Sequence, residues 1–121
     1  MDGFAGELGV YGESADEGSA RLQLEAGNEH LNPAGTVHGG VLATLVDSAM
    51  GLAVRSATGD EDVPATSQLS LTYLSPGKTG HLVATADVRK RGKNLTICEA
   101  EVQQDGKTLV HSIATFALVR P

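Results

Sequence analysis

The sequence is short of the features that mark many specialised classes of protein. Its single cysteine, Cys98, cannot close an internal disulfide, so the fold must hold by burial or by association with another copy. Cys98 lies in a strand-like run, where simple packing accounts for it. No uninterrupted apolar run reaches the length of a bilayer span, and the opening Met1-Asp2-Gly3-Phe4 lacks the basic flank and apolar core of an export signal. A soluble, cytoplasmic protein with no membrane partner is expected. Basic residues are scarce: nine Lys and Arg against fifteen Asp and Glu leave a formal net charge of −6, the wrong sign for a general nucleic-acid binder. The four histidines, His30, His38, His81 and His111, show no paired spacing of the zinc-binding kind, and no Gly-x-Ser-x-Gly nucleophile elbow occurs. Neither a metal nor a cofactor is implied.

What is present fits one ordinary globular domain over residues 1–121, with 40% hydrophobic and 20% charged residues and no internal repeat or low-complexity tract. The first dozen or so residues, where Gly is frequent and Glu and Ser follow, are expected to be loosely held. Residues 20–26 alternate apolar Ala20, Leu22, Leu24 and Ala26 with Arg21, Gln23 and Glu25, the period-two signature of a half-buried strand. Residues 27–35 read as a loop. From Gly40 to about Thr58 the pattern turns helical, with Leu42, Leu45, Val46, Ala49, Leu52 and Ala53 on one broad apolar stripe, and Gly59-Asp60 ends it. After Pro64 alternation resumes, placing Ser67, Leu69, Leu71 and Tyr73 on one face and Thr66, Gln68, Ser70 and Thr72 on the other, up to Pro76-Gly77. Further strands are expected over residues 82–89, 95–102 and 108–118, with short connections containing Gly80, Gly92 and Gly106.

Those connections are too short for crossover helices, so the strands pair antiparallel and one helix serves the whole sheet. A single apolar helix buries its stripe by lying across the concave face of a curved sheet, an α+β arrangement of a sheet wrapped around a helix.

Two features of the helix stand out chemically. His38-Gly39-Gly40 opens it, and first-turn N–H groups lack intrahelical partners, so this end can hold a negatively polarised oxygen. Thr36 is placed to cap the same donors from upstream, and a plain tight turn is the other reading of the glycines. Asp47 interrupts an otherwise apolar and small-residue segment about two turns inside the helix, where the dipole gives it no support. Its neighbours on the wheel are Gly40, Ala43, Thr44, Met50, Gly51 and Val54, a mostly small strip that admits another backbone; a solvated outward-facing carboxylate is the alternative. Gly39 and Asp47 are eight residues apart, roughly 12 Å along the axis. One carbonyl cannot touch both within a chain, so joint action requires two helices packed antiparallel across a two-fold axis. Arg89, Lys90, Arg91 and Lys93 gather four of the nine basic residues, either as a local anion site or as a solvated turn whose charges deter edge pairing.

His38-Gly39-Gly40 followed by Asp47 in an Ala- and Gly-rich helix resembles the PaaI-type acyl-CoA thioesterases of the hotdog superfamily. Leu71-Thr72-Tyr73-Leu74-Ser75-Pro76, the Gly92-Lys93 turn and Asn32, six residues before His38, extend the resemblance over nearly the whole chain. It implies a hotdog fold of about five to six antiparallel strands around one central helix. It also implies hydrolysis of acyl-CoA, with the Gly39 amide and Asn32 polarising the thioester carbonyl and Asp47 of the facing subunit acting as general base or nucleophile. A water-orienting hydroxyl falls on Thr66, or on Ser67 if the register is off by one, and His38 shapes the loop. The resemblance further implies CoA phosphates near the basic cluster, a homodimer or a tetramer of two dimers, and an aromatic or medium-chain acyl group. A hotdog hydratase or dehydratase is disfavoured, because His38 precedes Asp47 in the reverse of the Asp-then-His order. A non-catalytic acyl-CoA-binding module is the other alternative, and the presence of Asp47 in place of an inert residue argues against it.

Overall fold

The alternation in residues 20–26 and the long apolar stripe after Gly40 mark the two layers of the fold. The structure, a computed structural model, describes residues 1–59 and 62–119. The elements are α1 (Gly3–Leu8), β1 (Tyr11–Asp16), β2 (Ser19–Ala26), a 3-10 turn (Asn28–His30), α2 (Gly39–Thr58), β3 (Val63–Tyr73), β4 (Gly80–Arg91), β5 (Leu95–Gln104) and β6 (Lys107–Val119). Asp60, expected to help close the helix, lies outside the described residues; Gly59 does so with φ of 85°, its N–H bonded to the Arg55 carbonyl.

All six strands form one sheet in the order β1-β2-β4-β5-β6-β3, and every neighbouring pair is antiparallel. Asp105-Gly106, both at positive φ (51° and 77°), make the tight β5–β6 hairpin turn, and Glu17-Gly18 (48° and 89°) do the same between β1 and β2. β3 pairs with none of its sequence neighbours. Residues 74–79 carry the chain to the far side of the sheet, where β4 pairs with β2, leaving β3 as an 11-residue edge beside β6.

α2 lies across the concave face, the hotdog arrangement. Its residues Leu45, Val46, Ala49, Met50, Ala53 and Val54 are completely buried against inward side chains such as Leu22, Leu82, Val102 and Phe116. By length (20 residues) and mean hydropathy (1.2) this helix matches a membrane span, but eight of its side chains are core. Burying a Leu or Val side chain contributes ~1.5–3 kcal/mol, so this stripe is the principal anchor of the fold.

The N-terminus differs from the loose segment expected. α1 and β1 are ordered parts of the domain, because Ala5 and Val10 enter the core and His30 reaches back to α1. Their signal is invisible to periodicity: every residue of β1 is exposed, and α1 is too short to repeat.

Candidate functional site

The start of α2 is built by a small ribbon. Leu31 bridges Val37, the His38 N–H bonds the His30 carbonyl at 2.8 Å, and the Val37 N–H bonds the Gly77 carbonyl at 2.9 Å. Gly77 is packed so closely that a Cβ there would lie 3.0 Å from Leu109 and 3.1 Å from Val37, so two loops are locked together beneath the helix terminus. Asn32 holds the ribbon's turn. Its Oδ1 accepts from the Ala34 and Thr36 amides at 3.0 and 3.2 Å, and its Nδ2 donates to the Thr36 hydroxyl at 2.9 Å. The Thr36 hydroxyl therefore serves the turn and does not cap α2.

The cap is His38. Its Nδ1 accepts from the Gly40 N–H at 2.8 Å, which places the neutral ring's proton on Nε2. The Val41 amide donates to the His38 carbonyl at 2.9 Å and the Leu42 amide to the same oxygen at 3.4 Å. Among the described residues, the Gly39 N–H is left as the amide of this first turn that meets no protein acceptor. Gly39 lines a cleft of about 450 Å³ together with Asn32, Leu42, Tyr73, Leu74 and Pro76, among others. Asn32 Nδ2 gives one of its two hydrogens to Thr36 and keeps the other. His38 is exposed and does not line the cleft.

Tyr73 is a neighbour that sequence reasoning quoted without giving it a role. Its hydroxyl donates to the Gly39 carbonyl at 2.9 Å, and a Cβ on Gly39 would lie 3.2 Å from that hydroxyl. The position of Tyr73 at the end of the long strand was the available signal, but which helix residue it meets depends on how the strand crosses α2.

Asp47 stands in a second place. It is half-buried, as are Ala43 and Thr44 on either side of it, in the strip that also holds the exposed Gly40. Met50 and Val54, two of its expected wheel neighbours, belong to the core instead. Thr66 Oγ1 donates to Asp47 Oδ1 at 2.7 Å. A β-bulge brings this about: Thr66 pairs with Phe116 and Gln68 with Thr115, leaving Ser67 as the extra residue. The bulge puts Thr66 on the same side as Leu69 and Leu71, whereas unbroken alternation assigned it to the opposite face. The Ser67 hydroxyl donates to the Thr115 carbonyl at 3.1 Å, away from Asp47.

The structure thus gathers Asn32 and Gly39 at one point of α2 and Asp47 and Thr66 at another. Asp47 lines a different cleft, of about 380 Å³, which Gly39 does not line, and the Gly39 cleft is not lined by Asp47. The basic cluster lies elsewhere again. Arg89, Lys90 and Arg91 belong to the end of β4, with Lys93 in the turn that follows, and all four are exposed. The Val88 N–H bonds the Gly18 carbonyl at 2.7 Å and the Gly18 N–H bonds the Ser56 hydroxyl at 2.9 Å, so the cluster begins beside the C-terminal end of α2. Arg89 is engaged by Glu99 at 2.9 Å; Lys90, Arg91 and Lys93 form no ion pair among the described residues.

Other chemistries find less support. Burial pushes the Cys98 thiol up to about 12, so it is protonated at neutral pH and unsuited to be a nucleophile. Among the described residues no three His, Cys, Asp or Glu side chains are grouped to hold a metal ion.

The sequence model of the thioesterase superfamily matches residues 34–111. A Halobacterium salinarum protein named as an esterase is 40% identical over 105 residues, covering 83% of this chain and 69% of that protein. Human acyl-coenzyme A thioesterase 13 is 36% identical over 91 residues, covering 74% of this chain and 64% of the human protein, so the chain spans just under two thirds of that relative. Among solved structures, the Escherichia coli PaaI protein from the phenylacetic acid degradation operon superposes with a TM-score of 0.89 at 30% identity, covering 98% of this chain and 85% of the other.

Proposed function

The chain belongs to the thioesterase superfamily of hydrolases, and from that premise we propose that it cleaves acyl-CoA to a free acid and CoA at sites shared between two copies. The observation that carries this reading is the division of labour along α2: an amide without an acceptor at Gly39, and a carboxylate held by Thr66 at Asp47, the two residues lining different clefts of one chain. Two helices packed antiparallel with Gly39 opposite Asp47 place the two-fold axis at Ala43, midway between them, where small side chains let the helices approach. β3, an open edge beside α2, offers backbone for a matching strand of the second copy. Extended edges of this kind also permit two dimers to form a tetramer.

In this arrangement the thioester oxygen accepts from the Gly39 N–H, with the spare Asn32 Nδ2 hydrogen as a second donor. Thr66 gives its hydrogen to Asp47 Oδ1, so the Thr66 oxygen presents lone pairs that accept from a water. Asp47 of the facing copy takes a proton from that water as its oxygen bonds to the carbonyl carbon. Collapse of the tetrahedral intermediate then breaks the carbon–sulfur bond, and the CoA thiolate leaves to collect a proton. His38 serves by fixing the helix start, since its Nδ1 is committed to Gly40.

The same symmetry bears on the basic cluster. With Ala43 on the axis, the level of Ala57 on one helix lies beyond the start of the other, roughly 15 Å past its Gly39 at ~1.5 Å per residue. Lys90, Arg91 and Lys93 of one copy thereby approach the site from outside, across a gap the extended pantetheine arm of CoA bridges, and can meet its phosphates. The operon of the E. coli neighbour supports a phenylacetyl-type acyl group, with medium-chain acyl groups as the other candidates.

Thiol release measured over a panel of aryl- and fatty acyl-CoAs, for the native chain and Asp47→Ala, is the direct test. Cleavage by the native chain and its loss in the variant are expected; an equally fast variant overturns the assignment of Asp47. Hydration of enoyl-CoA, or binding without turnover, would replace it by the hydratase or the binding-module reading.

A further inference from the structure

Phe4 presents a large apolar side chain to solvent, 74% exposed, on a helix of six residues. So short a helix does not stand alone in water. It is pinned from several sides: Ala5 is core, the Val10 N–H bonds the Ala5 carbonyl at 3.1 Å, and the buried His30 spans the joint. His30 Nδ1 accepts from the Gly27 N–H at 2.9 Å, leaving Nε2–H to donate to the Leu8 carbonyl at 2.7 Å. Gly9, at φ of 105°, closes α1 against Leu24. Several anchored contacts thus fix the place from which an exposed phenyl ring projects.

That place is the wall of the cleft containing Asp47. Phe4, Ala5, Ala43 and Leu69 supply its apolar surface, while Asp47 and Thr44 supply the polar one. A thioester whose carbonyl carbon sits at Asp47 must send its acyl group along an adjoining surface, and this cleft provides an apolar one with an aromatic ring in it. We propose that Phe4 is a specificity-determining residue that packs against the substrate's acyl group and favours an arylacyl group over a straight chain of similar size. The inference rests on the assignment of Asp47 to the reacting thioester. Ring-on-ring packing adds to simple burial, so truncating Phe4 penalises aromatic acyl groups selectively.

The test compares phenylacetyl-CoA with hexanoyl-CoA for the full chain and Phe4→Ala. The ratio of their kcat/KM values is expected to fall by about fivefold in the variant, carried mainly by KM. An unchanged ratio overturns the proposal while leaving the thioesterase reading intact, as does a uniform loss accompanied by a change in native mass, which would make Phe4 a subunit contact. The chain has no tryptophan, so Phe4→Trp combined with Asp47→Ala provides a fluorescent reporter that needs no turnover. Phenylacetyl-CoA should shift its emission and free CoA should not. Identical responses to the two overturn the proposal, and a shift specific to phenylacetyl-CoA sustains it even if the native chain hydrolyses nothing.

Discussion

If each site takes its amide from one copy and its carboxylate from another, two inactive variants should restore activity when mixed. Asp47→Ala removes the carboxylate. Gly39→Val places a Cβ about 3.2 Å from the Tyr73 hydroxyl and sends methyl groups into the cleft where the carbonyl oxygen would lie. Each variant alone has both sites of its dimer damaged. In a heterodimer, the site combining Asp47 of the valine variant with Gly39 of the alanine variant is intact, and the reciprocal site carries both lesions. Random pairing of equal amounts makes about half the dimers mixed, each with one good site of two, so recovery should approach about a quarter of native activity. The assay is thiol release after co-refolding, with heterodimer content verified by native mass spectrometry of differently tagged chains. Verified heterodimers that stay at the sum of the separate variants would refute the shared site. The physical basis is the roughly 12 Å between residues 39 and 47 on one rigid helix, too far for a single carbonyl carbon and its oxygen to meet both.

Thr66→Val keeps the shape of the side chain but removes the 2.7 Å bond to Asp47. A hydrogen bond to a charged group contributes about 1.5–3 kcal/mol, so kcat should fall by about 10- to 100-fold with unchanged native mass; an unaltered kcat would show that Thr66 does not matter to the chemistry. Thr96 is completely buried with an unpartnered hydroxyl, so Thr96→Val should raise stability by about 1 kcal/mol in denaturant titration, and a loss of stability would show that the hydroxyl has a partner. Cys98, pushed up to about 12 by burial, should react with iodoacetamide at pH 8 about a thousandfold more slowly than the unfolded chain, from the thiolate fraction alone. The same shift means that the native thiol keeps its proton where the unfolded one loses it. Stability should therefore decline as pH rises through the ordinary cysteine range, and comparison with Cys98→Ala isolates that slope.

The layers of the fold were legible because they rest on periodicity. β2 buries every second residue, and α2 buries one continuous stripe, so both patterns survive in the bare sequence. The N-terminal elements were not legible, because β1 buries nothing and α1 is held by partners distant in sequence, His30 among them. The position of Thr66 was beyond periodicity for a different reason. A bulge adds one residue to a strand without leaving a mark in apolar alternation, so counting by twos turns Thr66 away from the helix, whereas in the structure its hydroxyl bonds Asp47. Capping was misread because Thr36 and His38 both offer acceptors near the helix start, and only the fold of the Asn32 turn commits Thr36 elsewhere.

The two half-sites proposed along α2 depend on different parts of the chain, and this would constrain how the protein tolerates change. The amide end is set by the Leu31–Val37 ribbon, Gly77 and Tyr73, while the carboxylate end is set by a bulge in the edge strand. α2 is the element common to both, and its buried stripe fixes its rotation, hence the direction of Asp47. If Asp47 activates the water as proposed, a substitution in the core of α2 should disturb catalysis without touching substrate, by rotating Asp47 away from Thr66. On the opposite side, small residues at Gly40, Ala43 and Thr44 contribute little to the core and keep the surface low enough for a second helix. The residues that stabilise one chain and those that would complete the site thus lie on opposite faces of the same helix. Asp47 lies among the small residues of the second face, where a carboxylate held by Thr66 of one copy would be presented to another.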